Sequence, residues 1–321
     1  MNSTPAEDVR DQLLRAAVAA PSVHNTQPWK FRFRGWVVEV HRDRDRELPA
    51  EDRDRRMLYL SLGAAVFNLR VAAALCGYGT DTRSVLDRAH PDLVAEVELV
   101  IPGPEIQSLS ALAPYVPRRR TNRQPYSDRR VAPDIRKLLE LAARLEGGVL
   151  DWAEAPARRR WLQLASSDAG ALDDQDAARS AERRRWVGGS RARDGVPSSA
   201  LGPRSEPGTA PVRDLAATPA DENRTVAAFE AEPQLVVLST RHDGRPEWLR
   251  AGQAMERVLL EATVQGVSTS LLNQALEHDE LRWLINDPLG RWYRPQVIIR
   301  VGYGPPVPPT PRRPITDVLL D

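Results

Sequence analysis

The sequence predicts an α+β fold in which helices pack around mixed or antiparallel sheets, and three observations predict it. Apolar residues alternate over Phe31–Arg34 and again over Trp36–His41, on either side of Gly35, as in a β-hairpin with one buried face. Two long apolar segments rich in alanine, Met57–Gly77 and Trp248–Gln265, lack that alternation and read as buried helices. These two segments also share a signature. Tyr59-Leu60-x-x-Gly63-x-Ala65 runs on to Gly77, and Trp248-Leu249-x-x-Gly252-x-Ala254 runs on to Gly266; 252 − 63 and 266 − 77 both give 189. Ala73 and Ala262 keep the same offset. Matched ends predict an internal duplication, a pseudo-dimer in one chain with a first half over 1–110 and a second over 111–321. Chance agreement between two alanine-rich helices is the competing explanation.

Taken in order, a helix is expected from Ala6 to Ala20, with Val9, Leu13, Leu14, Ala17 and Val18 near helical spacing and Pro21 as its stop. The hairpin follows, then the Met57–Gly77 helix and a strand over Glu96–Ile101, closed by Pro102-Gly103-Pro104. In the second half a helix is expected over Pro133–Arg144, a strand over Val149–Ala153 and a charged helical region reaching Trp186. Residues 188–219 are rich in Gly, Pro, Ser and Arg and too long for a simple connector, which makes them either disordered or a cover loop. Gln234–Thr240 and Gln296–Val301 read as strands on either side of the Trp248 helix. The segment Gly302–Pro314 is rich in proline and extended.

Composition excludes more than it assigns. The chain has 321 residues, 41% hydrophobic and 28% charged, with 45 basic side chains against 44 acidic. Such a balance offers no field to gather nucleic acid or anionic lipid, so a small-molecule partner is expected, with neither nucleic acid nor membrane. One cysteine, Cys76, precludes an internal disulfide and a thiolate metal cage. The five histidines show no metal-ligand spacing, so no metal is expected. The polar N-terminus has no signal-peptide core, and no run is expected to reach the roughly 18 apolar residues that span a bilayer, so the expected location is the cytoplasm.

The most informative segment is Pro21-Ser22-Val23-His24-Asn25-Thr26-Gln27-Pro28-Trp29-Lys30-Phe31, which joins the first helix to the hairpin. Its Ser and Asn side chains can meet the polar edge of a ligand, or can simply satisfy the backbone of a turn. Taken with its alanine-rich helix, the pattern Pro-Ser-x-x-Asn-x-Gln-Pro-Trp-x-Phe resembles the flavin-side loop of the flavin-dependent nitroreductase superfamily. His24, the run Leu271-Leu-Asn-Gln-Ala-Leu-Glu277 and the ending Arg300-Val-Gly-Tyr-Gly304 through Arg312-Arg313-Pro314 are similar to its Acg-type branch.

That resemblance implies a homodimeric layout with two FMN sites, each built from a Pro-Ser-x-x-Asn loop of one subunit and an Arg-x-Ser-x-Arg segment of the other. Here the first half has the loop at Pro21–Asn25 but no such arginine segment. The second half has Arg119-x-Thr121-x-Arg123 but reads Leu145-Glu-Gly-Gly-Val149 where its loop should be. One complete set remains, which implies one flavin per chain and a monomer mimicking the dimer, with a homo-oligomer left open.

On this resemblance Pro21, Ser22, Val23, His24 and Asn25 hold the ring or ribityl chain, and Arg119, Arg313 and Arg312 hold the phosphate. Arg123 and Thr121 lie toward the pyrimidine edge, and Leu272, Asn273 and Gln274 toward flavin N5. The implied activity is that of an FMN oxidoreductase, taking hydride from NAD(P)H and passing electrons to a nitroaromatic, quinone or similar small-molecule acceptor, with no acid or base assigned. An FMN-storage protein whose segment 188–219 folds as a lid is the alternative, and a non-flavin interaction protein is a third reading.

Overall fold

The protein was analysed as a computed structural model, which describes residues 4–85, 87–206, 214–216, 221, 223–285 and 293–321. The helices used below are α1 (Glu7–Val18), α2 (Arg56–Leu75), α3 (Ile106–Ser110), α4 (Pro133–Leu145), α5 (Pro156–Gln175), α6 (Ala177–Trp186), α7 (Arg245–Val264) and α8 (Asp279–Ile285). The strands are β1 (Trp29–Arg34), β2 (Val37–Arg42), β3 (Gly79–Ser84), β4 (Leu93–Val100), β5 (Val149–Trp152), β6 (Arg204–Ser205), β7 (Val226–Ala227), β8 (Gln234–Thr240), β9 (Ser268–Leu271) and β10 (Arg294–Gly302).

Two antiparallel four-stranded sheets dominate. The first has the order β1-β2-β4-β3 and the second β5-β8-β10-β9. Each is made the same way: a helix, two strands, a long crossing helix and two more strands, with the fourth strand lying between the second and third. Where β1 meets β2 through a tight turn at Gly35, the second sheet places α5, α6 and the small parallel pair β6–β7 between β5 and β8.

The long helices α2 and α7 pack against each other at Gly63 and Gly252. A Cβ on Gly63 would lie 2.9 Å from the Gly252 Cα and would strike the Leu249 carbonyl; one on Gly252 would strike the Leu60 carbonyl. Hydrogen at both positions is what lets the backbones approach. The two matched glycines of the sequence therefore mark one contact, flanked by Leu60, Leu62, Ala254 and Val258 in the main core.

One expectation is corrected here. Helix α2 is 20 residues long with a mean hydropathy of 1.6, so it is long and apolar enough to cross a membrane by length and composition. Its apolarity has a packing cause: it lies inside the core, with 89% of that stretch buried. Asp52 caps it, its carboxylate oxygens accepting from Met57 N at 2.9 Å and Leu58 N at 2.8 Å. Burial outweighs those donors and pushes its carboxyl up to about 6.

Strands β3 and β9 were not foreseen. β3 reads Gly-Thr-Asp-Thr-Arg-Ser, an exposed polar edge, and β9 has only four residues. The extended tail after β10 crosses to the first half. There Phe31 N donates to Val318 O and Leu320 N to Phe31 O, both at 2.7 Å, adding the C-terminus beside β1.

Candidate functional site

The loop after α1 is strained and heavily tied. His24, Asn25 and Gln27 all have positive φ (45°, 54° and 52°), a left-handed conformation that costs a non-glycine residue on the order of 1–3 kcal/mol. Its ties run to four separate parts of the chain. Val23 N donates to Ser61 Oγ of α2 at 3.2 Å, and the His24 imidazole, its side chain 2% exposed, pairs with Glu51. Asn25 Nδ2 donates to Gly195 O and to Pro311 O, each at 2.9 Å, and Gln27 Nε2 donates to Arg193 O at 2.9 Å. Within the loop, Ser22 Oγ accepts from Gln27 N at 2.9 Å.

The arginine segment comes from the second half. Thr121 pairs with Thr269 at the free edge of β9, and Asn122 N donates to Thr269 O at 2.8 Å. Beneath it Arg300 of β10, almost wholly enclosed, pairs with Glu230 at 2.5 and 2.6 Å and lies 3.7 Å over the Tyr126 ring. This buried pair props the turn that carries Arg123.

Loop and segment face each other across a cavity of about 240 Å³. Pro21, Ser22 and Asn25 line one wall; Arg119, Arg120, Thr121 and Arg123 line the other. Val196, Ser199, Ala200 and Gly202 of the segment after α6 close it, and Arg312 enters from the tail. Pro21, Ser22, Thr121 and Arg123 also border a second cavity of about 60 Å³, which Val23, His24, Met57, Leu60, Met255, Leu271 and Asn273 complete. One end of the cleft is thus rich in guanidinium and the other is mainly apolar.

Three predicted residues lie elsewhere, for reasons of alternation. Arg312 and Arg313 are neighbours in extended chain and point opposite ways. Arg313 is spent on Gln27 O at 3.1 Å, Asp43 at 3.2 Å and Asp317 O at 2.7 Å. Leu271 and Asn273 border the smaller cavity, while Leu272 between them packs into a separate cluster with Leu235, Val237 and Ile298. Gln274 opens the next turn and borders a different space with Glu51, Asp173 and Glu277. Conversely, Arg120, Met57, Leu60, Ser61 and Met255 line the cleft without having been foreseen. Arg120 carries no pattern that separates it from the other arginines of an arginine-rich chain, and the others sit on helices expected to be buried.

Curated proteins of similar sequence span nearly the whole chain. A Mycobacterium tuberculosis (strain H37Rv) protein named "Putative NAD(P)H nitroreductase Rv3131" is 33% identical over 98% of this chain and 91% of its own length. Another from the same strain, "Putative NAD(P)H nitroreductase acg", is 30% identical over 97% of this chain and 95% of its own. The chain belongs to the nitroreductase superfamily, in its Acg-type branch. A solved FMN and NADPH-dependent nitroreductase, NfnB from a "sphigopyxis" strain, aligns over 65% of this chain and 97% of its own at 19% identity, with a TM-score of 0.38. No family model matches the chain.

In this nitroreductase the charge at the arginine end is concentrated and under-compensated. Arg119 is 4% exposed, and its Nε and Nη1 have no hydrogen-bond partner among the described residues. Burial pushes the Arg312 guanidinium down to about 9, and the charges of Arg119 and Arg120 push the same way while Glu256 opposes them. Arg120 is likewise held down, by burial first and by Arg119 second. Arg312 is anchored on Ala19 O at 3.2 Å and Ala20 O at 3.3 Å, at the end of α1.

The segment after α6 that borders this end is tied to both of its walls. Gly195 N donates to Asn25 O at 3.1 Å, Arg123 Nη1 donates to Ala200 O at 3.1 Å, and Arg46 pairs with Asp194 at 2.9 Å. Its apolar side buries Trp186, Val187, Val196, Leu201 and Leu215 against Leu48. Leu215 also borders the smaller cavity. Of the segment 188–219, residues 207–213 and 217–219 lie outside the described residues.

Proposed function

We propose that this nitroreductase holds one FMN per chain in the cleft between its halves and works as an NAD(P)H-dependent oxidoreductase on a small nitroaromatic, quinone or similar acceptor. The observation that carries the proposal is Arg119. Two of its buried nitrogens, which lack a hydrogen-bond partner among the described residues, stand beside Arg120 and Arg312 at a cavity whose opposite wall is the Pro21–Asn25 loop. Such clustered, desolvated guanidinium groups suit a phosphate dianion, which accepts several charge-assisted hydrogen bonds at once. FMN would supply hydride acceptance and release, the chemistry this chain's side chains lack.

The chain's own part is binding, orientation and exclusion of water. Arg119, Arg120 and Arg312 would hold the phosphate, Ser22 and Asn25 the ribityl side. Arg123 would lend positive charge at the junction of the two cavities, favouring an anionic reduced ring. Met57, Leu60, Met255 and Leu271 would provide an apolar bed, with Asn273 at its far side. Ligand sites of this size class run from about 300 Å³ upward, so the ring end, at about 60 Å³, would have to open by withdrawal of side chains such as Leu215.

Identical strand order in the two sheets and the Gly63–Gly252 contact support an internal duplication, and complementary loss of one loop and one arginine segment supports a single site in a monomer. The cover's ties to Asn25, Gln27 and Arg123 favour a second reading, storage of FMN behind a closed lid. Anaerobic stopped-flow separates the two. Bleaching of bound flavin by NADPH within seconds supports turnover, persistent oxidised colour supports storage, and purified protein that stays colourless in added FMN defeats both.

A further inference from the structure

Behind the arginine end lies a carboxylate that no role above uses. Glu256, in the middle of α7, is fully buried; its oxygens lie outside strict hydrogen-bond geometry from the described residues, with the Asn68 amide of α2 close enough to help hold its charge. Its nearest counter-charge is Arg119, with Nε 3.5 Å from Glu256 Oε1, an ion-pair distance outside hydrogen-bond geometry. Arg312 from the tail and Asn68 from α2 are the other groups that favour its charged form. The adjacent Arg257 is engaged elsewhere, with Glu146 at 2.8 Å.

A phosphate bound at this end would claim the same guanidinium. Two anions would then share Arg119 in a region closed to water, where like charges shift each other's proton affinity strongly. Only one of the two can shed its charge cheaply. A phosphate monoester, with a second pKa near 6, is essentially a dianion at pH 8, whereas a buried carboxylate is easily protonated.

Resting on the FMN reading above, we infer that Glu256 is a proton-linked positioning residue of the phosphate site. It pairs with Arg119 while no phosphate is bound, and takes one proton from solvent as a phosphate monoester dianion binds, releasing the guanidinium to the ligand. The balance is simple: a carboxylate and a solvent proton become a carboxylic acid, and no other bond changes. Burial already pushes this carboxyl up to about 7, so the proton is within reach near neutrality.

The test is calorimetric titration of FMN into flavin-free protein at about pH 8, in two buffers of different ionisation enthalpy. The wild type should take up between one half and one proton per FMN bound, and its affinity should weaken several-fold from pH 7 to 8, a range in which Arg312 stays charged. Riboflavin, which lacks the phosphate, should bind without that uptake. Glu256→Gln should bind FMN with the uptake abolished and the pH dependence flattened. Infrared difference spectra of the wild type should show a protonated-carboxyl band on FMN binding, a readout that holds even if the variant folds poorly. FMN binding without proton uptake, or uptake unchanged in Glu256→Gln, overturns the inference while leaving the flavin reading intact. Failure of FMN to bind at all removes the flavin reading and this inference together.

Discussion

Replacing Gly63 by alanine tests the packing on which the cleft depends. The added Cβ would sit 2.9 Å from the Gly252 Cα and against the Leu249 carbonyl, and both obstacles are helix backbone that cannot rotate away. In an exposed helix the same change gains about 1 kcal/mol from propensity. Overpacking costs about 1–3 kcal/mol or more where nothing yields. The steric cost should win, for a net loss of about 2 kcal/mol. With a urea m-value of about 2 kcal/mol/M, the denaturation midpoint falls by roughly 1 M. Gly170 in α5 supplies the control, because a Cβ there meets no atom within 4 Å, and Gly170→Ala should raise the midpoint by up to about 0.5 M. Tryptophan fluorescence during urea unfolding reads both. Because Leu60 and Ser61 on α2 and Met255 on α7 border the ring end, Gly63→Ala should also loosen flavin binding. A Gly63→Ala protein as stable as Gly170→Ala would refute the close backbone contact.

Arg119→Ala should weaken FMN roughly 10- to 100-fold while changing riboflavin little, since charge-assisted hydrogen bonds contribute about 1.5–3 kcal/mol; equal losses for both ligands in fluorescence titration would place the phosphate elsewhere. Arg300→Met should lower stability by about 3–5 kcal/mol, because Glu230 is left charged and enclosed, and Glu230→Gln added to it should recover part of that loss in urea melts. Glu256 has its carboxyl raised from an ordinary 4.5 to about 7, so its contribution to flavin-free stability is complete below pH 4.5 and disappears as pH rises through 7. Glu256→Gln should therefore match the wild type near pH 4.5 and exceed it at pH 8, by on the order of 3 kcal/mol at most; a pH-independent difference in thermal melts would contradict this. Gln27→Ala removes the bonds to Arg193 O and Arg313 N, and should hasten trypsin cleavage at Arg191 and Arg193 while the core resists.

Much of this was legible in the residues, and the gaps have physical causes. Alternation exposed the hairpin and β4, and the glycine spacing exposed the two helices that meet at the centre, because burial on one face or all round leaves a compositional trace. β3 carries no such trace, being a polar edge strand, and β9 is too short for periodicity to act. The loop and the arginine segment could be named because their residue patterns resemble those of the nitroreductase superfamily. Direction could not be read from type alone. Arg312 and Arg313, or Leu271 and Leu272, differ in which way an extended chain turns them, and only the tail's docking on α1 and the pairing of β9 with β10 decide that. Glu256 was invisible for a related reason. One of three glutamates on α7, it cannot be told from the others until α2 and the arginine segment close over it.

The central claim is a single phosphate-anchored flavin shared by two unlike halves. Counting flavin against protein chains, from the visible spectrum of gel-filtered material saturated with FMN, tests it most directly. The account predicts one FMN per chain in a particle of one chain's mass; two per chain, or none retained, would contradict it.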